Sequence, residues 1–240
     1  MANQVPYDAT MTPIELASNI SEVQLRIQAA ATAAGRLQSA VTLLAVSKTK
    51  PSEAIRLAYE QGLTEFGENY AQEMAEKAHA LRDLPICWHF IGPIQSNKTK
   101  LIAEISDWVH SVDRLKIARR LSEQRPPERG PLNILVQVNI SGENSKSGVA
   151  PEALPEFMHD IKGMPGLSLR GLMAIPAPPL PSTDPRLPFK RLRALLESLS
   201  EITPGIDTLS MGMSADLEAA IDEGATHVRV GTDIFGARYN

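Results

Sequence analysis

Cysteine, aromatic side chains and long apolar runs are all scarce in this chain. A single cysteine, Cys87, among 240 residues excludes an internal disulfide and fits a reducing compartment. Set inside "PICWHF", it reads as a small buried hydrophobe. Nowhere do about eighteen apolar residues follow one another, and the opening "MANQVPYDATMTP" lacks a basic stretch followed by an apolar one, so neither a membrane span nor a secretory signal is read. A cytoplasmic protein is expected. An excess of one charge is lacking too, because 24 basic residues stand against 28 acidic ones and leave a net charge of -4. The basic residues are scattered, which argues against a nucleic acid partner or an anionic membrane. Their densest cluster, "FKRLRALL" at 189–196, reads as the solvated face of one helix.

Several motifs are missing as well. After the first apolar run stands "AVSKTKP" rather than a G-x-G-x-x-G dinucleotide fingerprint, and no G-x-S-x-G nucleophile elbow occurs. No group of histidine, cysteine and carboxylate has metal-ligand spacing along the sequence, so no metal is expected. Serine acyl transfer and metal hydrolysis are therefore poorly supported.

What is present is an ordinary globular composition, 43% apolar and 22% charged, enough for one sizeable core. Short β-rich runs alternate with longer helical patterns. The strand candidates are 41–47, 64–69, 87–92, 108–113, 133–140, 167–175, 206–212 and 226–231. The helical segments between them include "PSEAIRLAYEQG", with proline in its first turn, and "SADLEAAIDEG", with Ser214 as its N-cap. Apolar strands separated by amphipathic helices imply parallel pairing, and eight such units closing on themselves predict an α/β fold of the (β/α)8 TIM-type barrel; an open doubly wound sheet is the runner-up. An extra helix at 12–34 precedes the first strand. One domain over 1–240 is expected, with 1–11 as a leader. The stretch "PAPPLPSTDPRLP" at 176–188, rich in proline, forbids both ladder and helix and follows the sixth strand, as a rigid loop or a lid.

In such a barrel the chemistry gathers at the C-terminal ends of the strands. Lys48 ends the first strand. The second ends in Glu68, Asn69 and Tyr70, the third offers His89 and Gly92, and the fourth Ser111 and Asp113. The fifth ends in Asn139, the sixth in Met173, the seventh in "SMGMS" with Ser210 and Ser214, and the eighth in "RVGT" with Arg229, Gly231 and Thr232. The last two ends predict an anion site. Ser214 would bring a hydroxyl and a helix N-terminus, Gly231 would let backbone approach closely, and Thr232 would add a hydroxyl and an N–H.

A phosphate near strands seven and eight, with a lysine on neighbouring strand one, suggests a phosphorylated aldehyde whose carbonyl reaches Lys48. Pyridoxal 5'-phosphate has that shape, and a partly desolvated lysine is a suitable Schiff-base nucleophile. Arg229, two residues before Gly231, alternates onto the same face and would place its guanidinium at the pyridine nitrogen. An arginine there keeps that nitrogen unprotonated and weakens the ring as an electron sink.

"LLAVSKTKP", "FGENY", "WHFIGPIQSNK", "NISGENSKSG", "GLMAIP", "LSMGMSADLEAAI" and "VRVGTDIFGAR" together resemble the pyridoxal phosphate homeostasis protein family, over nearly the whole chain. The resemblance implies an alanine-racemase-like barrel of PLP fold type III, with Lys48 as the Schiff-base lysine. It also implies Ser214, Gly231 and Thr232 as the phosphate cradle, Arg229 as the partner of the pyridine nitrogen, and Asn69 and His89 in the cofactor pocket. His89 has a competing reading as a satisfied core residue. Asn139, Lys146 and the loop "SGENSKSG" look similar to the family without a role that spacing assigns.

Two functions remain in view. The family implies a carrier that buffers or delivers pyridoxal 5'-phosphate in vitamin B6 homeostasis, with PLP-dependent apoenzymes as partners, effects on amino acid metabolism and no established activity. The alternative is a small amino acid racemase. Racemases of this fold type resemble a barrel followed by a β-domain, whereas here the eighth strand ends about ten residues before the last residue given. Racemisation also needs acid/base groups on both faces of the amino acid, and nothing ties Tyr70 or Tyr239 to the face opposite Lys48. Cofactor binding without turnover, by a monomer, is the expectation.

Overall fold

The computed structural model describes residues 11–142, 147–177, 183–201 and 203–236. Eight parallel strands, β1 (Thr42–Val46), β2 (Glu65–Glu68), β3 (Cys87–Phe90), β4 (Trp108–Val112), β5 (Leu132–Gln137), β6 (Leu167–Met173), β7 (Thr208–Met213) and β8 (His227–Val230), close into a barrel in chain order. The seam is a full ladder, with Leu44 opposite Arg229 and Ala45 opposite Val230. Around it lie α2 (Ser52–Glu60), α3 (Ala71–Ala80), α4 (Thr99–Ile105), α5 (Leu115–Gln124), α6 (Leu154–Ile161), α7 (Leu187–Ser200), α8 (Leu217–Asp222) and α9 (Thr232–Phe235).

Residues opposite one another on a parallel ladder share a face. One set, including Ala45, Phe66, Trp88, Val109, Ile134, Leu209 and Val228, is buried and packs into the main apolar core between strands and helices. The alternate set points into the barrel, and there the expectation of uniformly apolar strands fails. Glu65, His89, Trp108, His110, Arg170, Ser210, His227 and Arg229 meet one another in place of the usual branched aliphatics. Hydrogen bonding among them satisfies what a polar interior would otherwise leave stranded.

The preceding helix α1 (Pro13–Ala33) begins where the sequence predicts it. Thr12 and Glu15 form a reciprocal capping box and Pro13 occupies the first turn. Its buried stripe, Leu16, Ile20, Val23, Ile27 and Ala31, has helical spacing and faces α8 and α9. Three local expectations are corrected. Pro51 lies at the N-cap of α2, outside its first turn. Leu187 and Pro188 belong to α7, because proline in a first turn forfeits only an N–H that no helical carbonyl would accept; 178–182 of that proline-rich stretch lie outside the described residues. Ser214 is not the N-cap of α8. Asp216 Oδ1 accepts the Met213 N–H at 2.6 Å, turning the chain through 214–216, and the helix opens only at Leu217.

Candidate functional site

Four-residue geometry aims Lys48. The Lys50 N–H donates to the Ser47 carbonyl at 3.0 Å, and between them Thr49 has φ 64°, a left-handed conformation rarely adopted by a β-branched residue. Such strain persists only where its surroundings impose it. Here they do, since the Thr49 N–H donates to Glu73 Oε1 at 2.6 Å. Lys77, only 5% exposed, donates from Nζ to Glu73 at 2.6 Å, to Glu68 Oε1 at 2.7 Å and to the Ser47 carbonyl at 2.7 Å. Ser47 Oγ donates to the same Glu68 oxygen at 2.6 Å. Burial pushes the Glu68 carboxyl above its ordinary range, against the pull of Lys77. Thus the end of β1 is bolted to α3 through groups to which the sequence attaches no role beyond Glu68 as a strand end.

Because Leu44 faces Arg229, alternation puts Val46 and Lys48 on the inward face beyond it, and Gly231 on that face two residues past Arg229. Arg229 is 4% exposed. Its Nη1 donates to Ser210 Oγ at 2.7 Å and its Nη2 to the Ala174 carbonyl at 2.9 Å. Among the described residues no carboxylate touches it, and burial lowers its pKa to about 10. A guanidinium carries five N–H donors, so the two used here leave others for a ligand. Gly231 passes so close to β1 that a Cβ would lie 3.1 Å from the Val46 carbonyl. Asn69 Oδ1 is buried and lacks a hydrogen-bond partner among the described residues. Its backbone is pressed against Gly92, where any Cβ would overlap the Asn69 carbonyl, and Ser111 Oγ donates to the Gly92 carbonyl at 2.5 Å.

The other predicted cradle residues sit at the same end of the barrel. Ser214, half-buried, lies in the turn after β7; Thr232 is the first residue of α9 and exposed. A residue with no sequence signal joins them. Arg26 of α1 donates to the Ser214 carbonyl at 2.8 Å, to Glu218 at 2.7 and 3.0 Å, and to Asp233 at 2.7 Å, so one guanidinium ties the loop after β7 to the helix after β8.

His89 takes the core position of its competing reading rather than a place in the pocket. It is fully buried, with Nε2 at 2.6 Å from Glu65 Oε2 and Nδ1 at 2.9 Å from His110 Nε2. His110 Nδ1 in turn lies 2.8 Å from Ser210 Oγ. Both His89 nitrogens are thus engaged by protein, and it reaches Arg229 only through His110 and Ser210. The barrel also gathers Glu65, Cys87 and His89, far apart in role along the sequence. The 2.6 Å contact is a hydrogen bond, shorter than the roughly 3.3 Å between two ligands of one tetrahedral zinc, so the trio is closed by a proton. Burial and the neighbouring Glu65 push the Cys87 thiol far up, which keeps it protonated. Asn139 is half-buried at the end of β5, Tyr70 is exposed, and Lys146 and Tyr239 lie outside the described residues.

A closed parallel barrel with a lysine ending β1 and an arginine buried beside it on β8 defines the barrel class of the alanine racemases. Residues 19–239 match the family described as alanine racemase, N-terminal domain. The alanine racemase of Clostridium difficile shares the fold alone, with a TM-score of 0.73 at 14% identity over 94% of this chain and 57% of that one. Within that class, the pyridoxal phosphate homeostasis protein of Pseudomonas aeruginosa is 61% identical over 223 residues, covering 93% of this chain and 96% of the relative. Its counterpart from Escherichia coli is 50% identical over 227 residues, covering 93% and 97%. A solved structure of PipY from Synechococcus elongatus, with PLP bound, superposes with a TM-score of 0.80 at 33% identity over 92% of this chain and 100% of that one. This chain belongs to the pyridoxal phosphate homeostasis protein family.

Proposed function

We propose that the chain binds pyridoxal 5'-phosphate through a Schiff base on Lys48 and serves to buffer and deliver the cofactor rather than to turn over a substrate. The observation that supports this reading is the buried Arg229 opposite Leu44 on the β1–β8 seam, with Lys48 and Gly231 following those two strands at the same end of the barrel. Those residues suit the ligand: an amine at one end, a guanidinium with spare donors in the middle, and a backbone with no Cβ at Gly231 next to the Ser214 and Thr232 hydroxyls. Asn69 Oδ1, buried and unpartnered, adds an acceptor facing no protein donor. When bound, the cofactor supplies an electrophilic aldehyde on an electron-withdrawing ring. Around it Lys48 holds, Arg229 orients, and the absence of an acidic group at Arg229 disfavours a protonated ring nitrogen. The PLP-bound relative supports the cofactor, and the relatives' names support homeostasis over catalysis.

The test is borohydride reduction of the cofactor-loaded protein followed by peptide mass analysis. The reduced adduct should map to Lys48, and Lys48→Ala should yield none while retaining weak, phosphate-dependent binding. An adduct of equal stoichiometry in Lys48→Ala would overturn the assignment. Steady accumulation of the opposite enantiomer from an L- or D-amino acid would make the protein a racemase instead of a carrier. Transfer of the cofactor to a PLP-dependent apoenzyme faster than its release into buffer would mark direct delivery.

A further inference from the structure

The buried arginine has no carboxylate beside it, yet a carboxylate ends the hydrogen-bond chain in which it stands. The order is Arg229, Ser210, His110, His89, Glu65, drawn from five strands, β8, β7, β4, β3 and β2, through the barrel's interior. We infer that Glu65, at the N-terminal mouth of the barrel, is a positioning residue for the cofactor pocket at the opposite mouth. It sets, through His89, His110 and Ser210, the direction in which every bond of the chain donates. The inference rests on the reading that Arg229 faces the cofactor.

Donor chemistry fixes the argument. A guanidinium only donates, so Ser210 Oγ accepts from Arg229, and a carboxylate only accepts, so His89 Nε2–H donates to Glu65. Between these ends three proton placements are possible; one, a His110 protonated on both nitrogens and donating to His89 and to Ser210, puts a cation on a fully buried imidazole and leaves the Ser210 hydroxyl hydrogen with no acceptor in the chain. Two others remain. In the first, the Ser210 hydroxyl donates to His110 Nδ1, His110 Nε2–H donates to His89 Nδ1, and both imidazoles are neutral with every polar atom of the chain satisfied. In the second, His89 carries a proton on each nitrogen, His110 donates from Nδ1 to Ser210, and the Ser210 hydroxyl hydrogen is left with no acceptor in the chain. The second also adds a cation to a closed space. His89 and His110 are both 0% exposed. His89 faces Glu65 from β2, Cys87 from its own strand, Trp108 and His110 from β4 and His227 from β8, while Arg170 from β6 covers Trp108 and Arg229 lies beyond Ser210. Only Glu65 among these is an anion in contact. Burial holds His110 well below the usual histidine range and is the main reason His227 lies at about 4. Satisfaction of every polar atom along the chain favours the first placement.

In that placement each bond polarises the next, and the Ser210 oxygen is a stronger acceptor for Arg229 because its own hydrogen is already given to His110. Glu65 anchors the polarity. Its side chain is 30% accessible, so it can be changed without opening the core. Without Glu65 only the Cys87 sulfur, a weak acceptor 3.4 Å from Nε2, remains at that end, so His89 gains little by holding its proton on Nε2 and moves it to Nδ1; His110 and Ser210 then reverse, and the Arg229 contact weakens.

The experiment compares Glu65→Leu, which removes the acceptor, with Glu65→Gln, whose amide oxygen retains it, in the full chain. Histidine side-chain nitrogen NMR of cofactor-stripped protein at neutral pH should show His89 and His110 as Nε2–H tautomers in the parent and in Glu65→Gln. In Glu65→Leu, His110 should become the Nδ1–H tautomer. In loaded protein, Glu65→Leu should weaken cofactor binding about fivefold, the size of one neutral hydrogen bond, and shift its absorption maximum, with Glu65→Gln close to the parent. A doubly protonated His89 in the parent, or an unchanged His110 in Glu65→Leu, would overturn the relay. A tautomer switch with unchanged binding and spectrum would overturn its reach to the cofactor. Failure of the Lys48 adduct would instead sink the cofactor reading while leaving the tautomer result intact.

Discussion

Lys48 is aimed by other residues more than by its own side chain. The buried ammonium of Lys77 neutralises Glu68 and Glu73 and holds the Ser47 carbonyl, and Glu73 in turn pins the strained Thr49. Deleting one partner of a buried pair strands the other charge. Lys77→Met should therefore cost about 3–5 kcal/mol in urea unfolding followed by tryptophan fluorescence, whereas adding Glu68→Gln should recover part of that loss. A double-variant loss equal to the sum of the losses in Lys77→Met and Glu68→Gln alone would show that the pair does not couple. Gly92→Ala is the other informative change. Its Cβ would overlap the Asn69 carbonyl, so it should displace Asn69 and weaken cofactor binding while leaving the Lys48 adduct detectable by mass. Residues of this kind divide sharply in how far sequence reveals them. Arg229 and Gly231 are legible because alternation along one strand is local. His110, Glu65 and Lys77 acquire meaning only from which strands and helices face each other, a long-range fact that no spacing within a motif encodes.

At the scale of elements, α1 acts as a clamp along the β7–β8 side of the barrel. Arg26 spans the turn after β7, α8 and α9, while Asn19 Nδ2 donates to the Ile234 carbonyl at 3.1 Å and Arg36 to the Ile221 and Ala225 carbonyls at 2.8 Å each. Each Arg26 ion pair is about a third exposed or more, so Arg26→Ala should lower stability by only about 1 kcal/mol. Its larger effect should be on motion: amide exchange at 212–217 and 231–236 should quicken, and inorganic phosphate should bind more weakly. Unchanged exchange in both segments would show that the loops hold themselves. The start of α1 is readable from T-x-x-E with proline between, because a capping box is complete within four residues. The start of α8 is misread as Ser214 because a serine ahead of an apolar stretch has the same appearance whether or not a nearby aspartate delays the helix.

For the whole molecule, the count of eight strands and their alternation with helices suffices to predict a closed barrel, since parallel pairing with short connections has few other solutions. What the count conceals is the filling. A polar interior makes stability depend on pH, and the sign follows from His227, whose pKa falls from 6.5 to about 4 chiefly on burial. Between those values the unfolded chain binds a proton that the folded chain refuses, so stability is retained above about pH 6.5 and is lost as the pH falls toward 4, by about 3 kcal/mol. His110 adds in the same direction. Urea midpoints should thus drop steeply from pH 7 to pH 5, and His227→Gln should flatten the profile; a flat profile in the parent would contradict the buried neutral imidazoles.

The contact of α1 with α8 and α9 sets an order on biosynthesis. α1 leaves the ribosome before α8 and α9, the two helices that cover its apolar stripe, and the ladder between β1 and β8 likewise waits for the later strand. Leu16, Ile20, Val23 and Ile27 are therefore uncovered while everything from β1 to β8 is translated, and nascent chains stalled before β8 should be held by chaperones that chains carrying β8 and α9 escape.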